Sequence, residues 1–98
     1  MHQLLDFAAA AAREAGINVV EDAAWGWSLD GEQWKPQEDP YQAMQLAAAM
    51  HMLVEWGGGG RVIVVGSGPM VREYGEGPLA TACMAITKAA AQQRGWAE

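Results

Sequence analysis

The chain has 98 residues, 51% of them apolar and 18% charged, and a formal charge of −6 at pH 7. That length and composition fit one globular domain over residues 1–98, exclude a disordered chain, and leave little room for an elaborate enclosed active site. The acidic balance argues against electrostatic capture of nucleic acid or an anionic membrane surface, and the lone Cys83 excludes an intramolecular disulfide and any multi-cysteine metal site.

The first helix is predicted over about residues 2–15. Leu4, Phe7, Ala8, Ala11, Ala12 and Ala15 recur at spacings of three and four, with Gln3, Asp6, Arg13 and Glu14 mainly on the other side. Asp6 interrupts the apolar run and no Lys or Arg precedes it, so a helix is expected here and not a signal peptide. Gly16 suits the left-handed stop, and Ile17 can fold back on the last turn. Ile17, Val19, Ala23, Trp25, Trp27 and Leu29 then share one parity and would face one side of an unbroken strand. Asp30-Gly31 is a two-residue hairpin signal, because both central positions of that turn need positive φ. It pairs Leu29 with Glu32, Ser28 with Gln33 and Trp27 with Trp34, and Pro36 ends the second strand or keeps it at an edge.

A second helix starts at Asp39, an N-cap residue, followed by Pro40 at the first helical position and by Gln42 in a capping-box pattern. Its apolar face runs through Ala43, Leu46, Ala47, Met50, Leu53 and Val54, so that Gly57–Gly60 would stop it. Arg61-Val62-Ile63-Val64-Val65 is an uninterrupted β-branched strand, which predicts cover on both faces. Gly66-Ser67-Gly68-Pro69 turns the chain into a shorter strand over Met70–Tyr74. Gly77-Pro78 opens a third helix with a stripe of Leu79, Ala82, Cys83, Ile86, Ala89 and Ala90, ended by Gly95 and covered by Trp96. The order α-β-β-α-β-β-α predicts an α/β fold of the α+β type: a three-layer α/β/α sandwich around a largely antiparallel four-stranded sheet.

Trp34-Lys35-Pro36, Asp39, Ala43, Leu46 and Ala47 resemble the W-x-P-x-x-D-x-x-x-A-x-x-L-A stretch of many small uncharacterised phage and prophage proteins. Ala82, Ala85-Ile86 and Ala89-Ala90-Ala91 are similar to a later helix of the same proteins, and the first helix with Gly16-Ile17 fits their layout. They look akin to the phage ABA-sandwich group. The resemblance implies helices, sheet and helices in three layers, and an accessory protein of a phage or prophage; the lone cysteine makes the reducing host cytoplasm the default setting. It brings no catalytic residues and no cofactor.

The motifs that carry chemistry elsewhere are weak here. Gly66-Ser67-Gly68 follows a strand, but Pro69 and an extended Met70-Val71 come next, so no helix N-terminus faces a phosphate. Gly57–Gly60 lead into Arg61 without the Gly-Lys-Ser/Thr of a phosphate loop. His51 and Glu55, four apart on the predicted second helix, would lie side by side as the start of a metal, ligand or acid/base site. Such a site still needs a third group from His2, Cys83 or a carboxylate. Cys83, on an apolar stripe, is expected to be an inert small hydrophobe.

The tryptophans are more informative. Trp25, Trp27 and Trp34 would share one sheet face, either as core or as an exposed aromatic patch that Met44 and Met52 could extend. Residues 1–49 hold eight acids against two bases and residues 50–98 hold four against four, so the whole acidic excess lies around this hairpin. That density is thin for a mimic of DNA. The leading expectation is a non-enzymatic protein that binds a host or phage protein, or itself, through Trp25, Trp27, Trp34, Asp30 and Glu32. Neither nucleic acid, membrane, metal nor cofactor is expected as a partner. The alternatives are a small metal- or ligand-binding protein or enzyme using His51 and Glu55, and a structural component of the virion.

Overall fold

The computed structural model describes residues 2–66 and 68–97, with only the backbone of His2; Ser67 of the predicted turn lies outside the described residues. The chain folds as an α+β domain in the order α1 (His2–Glu14), β1 (Val20–Asp22), β2 (Gly26–Leu29), β3 (Glu32–Gln33), α2 (Pro40–Ala49), β4 (Leu53–Trp56), β5 (Arg61–Val65), β6 (Val71–Tyr74) and α3 (Pro78–Gln92). Two small antiparallel sheets form, β1-β2-β3 and β4-β5-β6, in place of one four-stranded sheet.

The helix ends obey one local rule. At α1, Gly16 takes φ 97°, its N–H donates to the Arg13 carbonyl, and the Ile17 N–H reaches the Ala12 carbonyl at 2.9 Å. The same double turn-back closes α3 at Gly95, with the Trp96 N–H on the Ala91 carbonyl. Both stops match the glycine signals, since the left-handed position after a helix favours a residue without Cβ. The second helix departs from expectation. It stops at Ala49, because His51 takes φ 55° and the Met52 N–H turns back onto the Ala47 carbonyl at 2.9 Å. Leu53 and Val54 therefore belong to β4, and Gly57–Gly60 form the turn of the β4–β5 hairpin.

Near the start of α2, the Asp39 carboxylate accepts the N–H groups of Tyr41 and Gln42, with Pro40 in the first turn. Gln42 does not complete a capping box. Its buried amide accepts the Lys35 N–H at 2.6 Å and donates to the Gln33 carbonyl at 2.9 Å. These bonds clamp the backbone on either side of Trp34 and pull that side chain into the core, where it is 1% exposed. Burial of a side chain of this size contributes roughly 3 kcal/mol or more.

α3 is the hub of the packing. It contacts α1 and α2 on one side and the β4-β5-β6 sheet on the other. It is buried almost all round from Thr81 to Ala91, and alanines at positions 82, 85, 89, 90 and 91 let its neighbours approach closely. Its buried hydroxyls stay satisfied within the helix, Thr81 donating to the Gly77 carbonyl and Thr87 to the Cys83 carbonyl, each at 2.8 Å. On the sheet, Val62, Val64 and Val71 face α3, and Glu73 pairs with Lys88 at 2.6 Å. On the opposite face of β5 Arg61 and Val65 are exposed and Ile63 is half-buried, so among the described residues no helix supplies the second cover predicted for this strand. A β-branched run has the same composition whether one face or both are packed. The described arrangement is thus a helix held between helices and a sheet, not a sheet held between helices. Among the described residues no helix is long and apolar enough to cross a membrane.

Candidate functional site

The predicted strand over residues 17–29 is interrupted by a tight turn, and that turn builds the site. The Asp22 carboxylate accepts the N–H groups of Ala24 at 2.8 Å and Trp25 at 3.1 Å, and Gly26 resumes the strand with φ 87°. β1 and β2 thereby pair as a hairpin, with Val20 opposite Ser28 and Glu21 opposite Trp27. The following Asp30-Gly31 turn has the two positive φ values anticipated, and it pairs Leu29 with Glu32 and Ser28 with Gln33. Continuing the register, the Trp34 N–H donates to the Trp27 carbonyl at 2.9 Å.

Trp27 fastens the hairpin to α1. Its indole N–H donates to the Asp6 carboxylate at 2.9 Å, and the Arg13 guanidinium, two turns further along the helix, lies 5.9 Å from the ring centroid. An indole held at its edge by a carboxylate and near its ring by a cation is well ordered, and each contact adds of order 0.5–1 kcal/mol. Between α1 and the hairpin an open cleft of about 460 Å³ remains. Its walls include Leu5, Asp6, Glu21, Asp22, Trp25 and Trp27, and among the described residues no Lys or Arg lines it, the Arg13 guanidinium lying by the Trp27 ring. Trp25 stands at the turn, 46% exposed.

The structure therefore divides the five residues expected to form one patch. Trp25 and Trp27 line this cleft. Asp30 and Glu32 line a separate, smaller depression of about 110 Å³ beside Tyr41 and Asp39. Trp34 is core and offers no surface. Of the methionines, Met44 is exposed, whereas Met52 packs against the core. Asp6 is the cleft residue that sequence spacing did not suggest, because its partner Trp27 lies 21 positions away.

His51 and Glu55 do not stand one above the other on a helix. His51 occupies the left-handed stop after α2 and Glu55 lies in β4, opposite Ile63. Both are exposed. Among the described residues no group of three or more His, Cys, Asp or Glu side chains is arranged to hold a metal ion. Cys83 is buried, and its thiol is pushed above its ordinary value of 9.0, first by desolvation and then by the negative charge of Asp39. A raised thiol in an apolar setting is a poor nucleophile. Comparison with protein-family models, curated proteins and solved structures finds no match for the chain, so the geometry carries the functional argument.

Proposed function

We propose that the chain is a non-enzymatic binding protein that takes a cationic side chain of a protein partner into the cleft between α1 and the β1–β2 hairpin. One observation carries this reading: exposed Trp25 lines one open cleft together with three acidic residues, Asp6, Glu21 and Asp22, and among the described residues no Lys or Arg lines it. An indole face attracts a guanidinium or ammonium through its quadrupole, by about 0.5–2 kcal/mol, and carboxylates alongside complete a site selective for positive charge. Tryptophan is also the residue type most favoured at binding hot spots. The resemblance to phage and prophage proteins supports a host or phage protein as the partner and an accessory role.

Calorimetric titration with an octa-arginine peptide tests the proposal, with octa-glutamate as comparator. One peptide per chain should bind, weakening at least tenfold between 50 and 300 mM salt, because exposed charge attraction is screened. Trp25→Ala should remove most of the heat while the melting temperature is unchanged. Asp30→Asn with Glu32→Gln, in the other depression, should leave binding within about twofold, as expected for charges outside the contact. Equal affinity in the wild type and Trp25→Ala would overturn the proposal.

A further inference from the structure

The outer face of the β4-β5-β6 sheet carries a pattern that fits a second copy of itself. Directly opposed residues in an antiparallel pair share a face, so the register places three cross-strand rows on the side away from α3. The first is Leu53 beside Val65, continued by Met70 just before β6. The middle row is Glu55, Ile63 and Arg72, and the last brings Arg61 beside Tyr74. Leu53 is 62% exposed, Val65 40% and Tyr74 66%, so apolar area lies open to water across all three strands. Glu55 and Arg72 are exposed, and no ion pair within the chain engages either among the described residues.

The arrangement of charge selects the occupant. Glu55 and Arg72 sit one strand to either side of Ile63, at equal distance and with opposite sign. A two-fold axis running along β5 between two such faces exchanges the β4 and β6 sides. It sets Glu55 of one copy against Arg72 of the other, twice, with Ile63 on Ile63 at the centre and Leu53 against Met70. It also opposes Arg61 to Arg61 on the axis, but each Arg61 guanidinium is turned aside over Gly57 of its own chain, which sets it under Tyr74 of the other copy. A two-fold axis across the strands through this row would instead oppose Glu55 to Glu55 and Arg72 to Arg72 and form neither opposite-charge contact, and so is disfavoured. We infer that the chain forms an isologous dimer through this face, independently of the cleft. Three strands about 4.8 Å apart and four or five residues long give a flat face of roughly 200–250 Å², well below the ~800 Å² per partner of a stable complex, so the dimer is weak.

Sedimentation equilibrium from 10 μM to 1 mM tests it. Wild type should pass from monomer towards dimer within that range. Glu55→Arg alone, and Arg72→Glu alone, set like charges opposite each other at both contacts and should each weaken association about 10–30-fold. An equimolar mixture of the two single variants restores opposite charges at both contacts. It should associate within about threefold of wild type, a recovery that a general loss of folding would not give. Circular dichroism melts confirm that each variant is folded, and Glu55→Gln, which creates no repulsion, replaces Glu55→Arg if that variant fails. A wild type that stays monomeric at 1 mM overturns the inference, as does association that survives both charge reversals or a mixture that behaves no better than its parts.

Discussion

Gln42 is a demanding test of how the fold is held, because one buried amide joins α2 to the segment after β3 that carries Trp34. Gln42→Leu keeps the side-chain volume close to constant and removes both hydrogen bonds, the 2.6 Å bond from the Lys35 N–H and the 2.9 Å bond to the Gln33 carbonyl. Each such bond contributes about 0.5–1.5 kcal/mol net, and the two backbone groups left behind are part-buried, so water recovers only some of their hydration. The expected loss is about 2 kcal/mol, and for a chain of this size it lowers Tm by about 8–16 °C. Urea unfolding followed by tryptophan fluorescence measures it directly, since Trp34 is 1% exposed and should report any loosening as a red shift of the native emission. A loss below about 0.5 kcal/mol, with native emission unchanged, would refute the view that this amide secures Trp34 in the core.

Three further predictions follow from backbone geometry and burial. Gly60 has φ 76°, and a Cβ there would collide with the Gly75 carbonyl, whereas Gly58 faces open space. Gly60→Ala should therefore cost more than about 2 kcal/mol in urea unfolding and Gly58→Ala less than about 0.5. His51 holds a left-handed position that glycine adopts without strain, so His51→Gly should raise Tm by a few degrees, while the β-branched His51→Val should lower it. Burial holds the Cys83 thiol protonated in the folded state. The folded state thus keeps a proton that the unfolded chain gives up, and the associated stability is present below pH 9.0 and lost as pH rises through the raised value. Cys83→Ala should flatten that alkaline decline, and native Cys83 should react with a thiol reagent only as fast as the chain opens.

Elements set by local chemistry were legible from the residues alone. Gly16 and Gly95 marked their helix ends, Asp30-Gly31 marked a turn with the right pairing, and Asp39-Pro40 marked the start of α2. The end of α2 was hidden for a physical reason: Leu53 and Val54 continue the helical spacing of Leu46, Ala47 and Met50, and the stop is made by His51, a residue with a Cβ. That one displacement converts an apparent His51–Glu55 pair into two residues on different elements and supplies β4. The turn at Ala23–Trp25 was equally quiet, since its signal is an aspartate accepting two backbone N–H groups, a bond that many aspartates do not form. At the site, the acidic excess around the tryptophans was readable as charge. Only the fold could separate Trp34, drawn inward by Gln42, from Trp25 and Trp27, and bring Asp6 across from α1.

The five tryptophans offer the most direct test of the binding claim, because each indole N–H gives its own resonance in a nitrogen-15 correlation spectrum. During titration with octa-arginine, the Trp25 and Trp27 indole signals should move together and saturate at one peptide per chain. The buried Trp34 signal should stay in place, and so should those of Trp56 and Trp96, which lie outside the cleft. Stationary Trp25 and Trp27 signals, or shifts largest at Trp56, would contradict the assignment of the binding site to the cleft between α1 and the first hairpin.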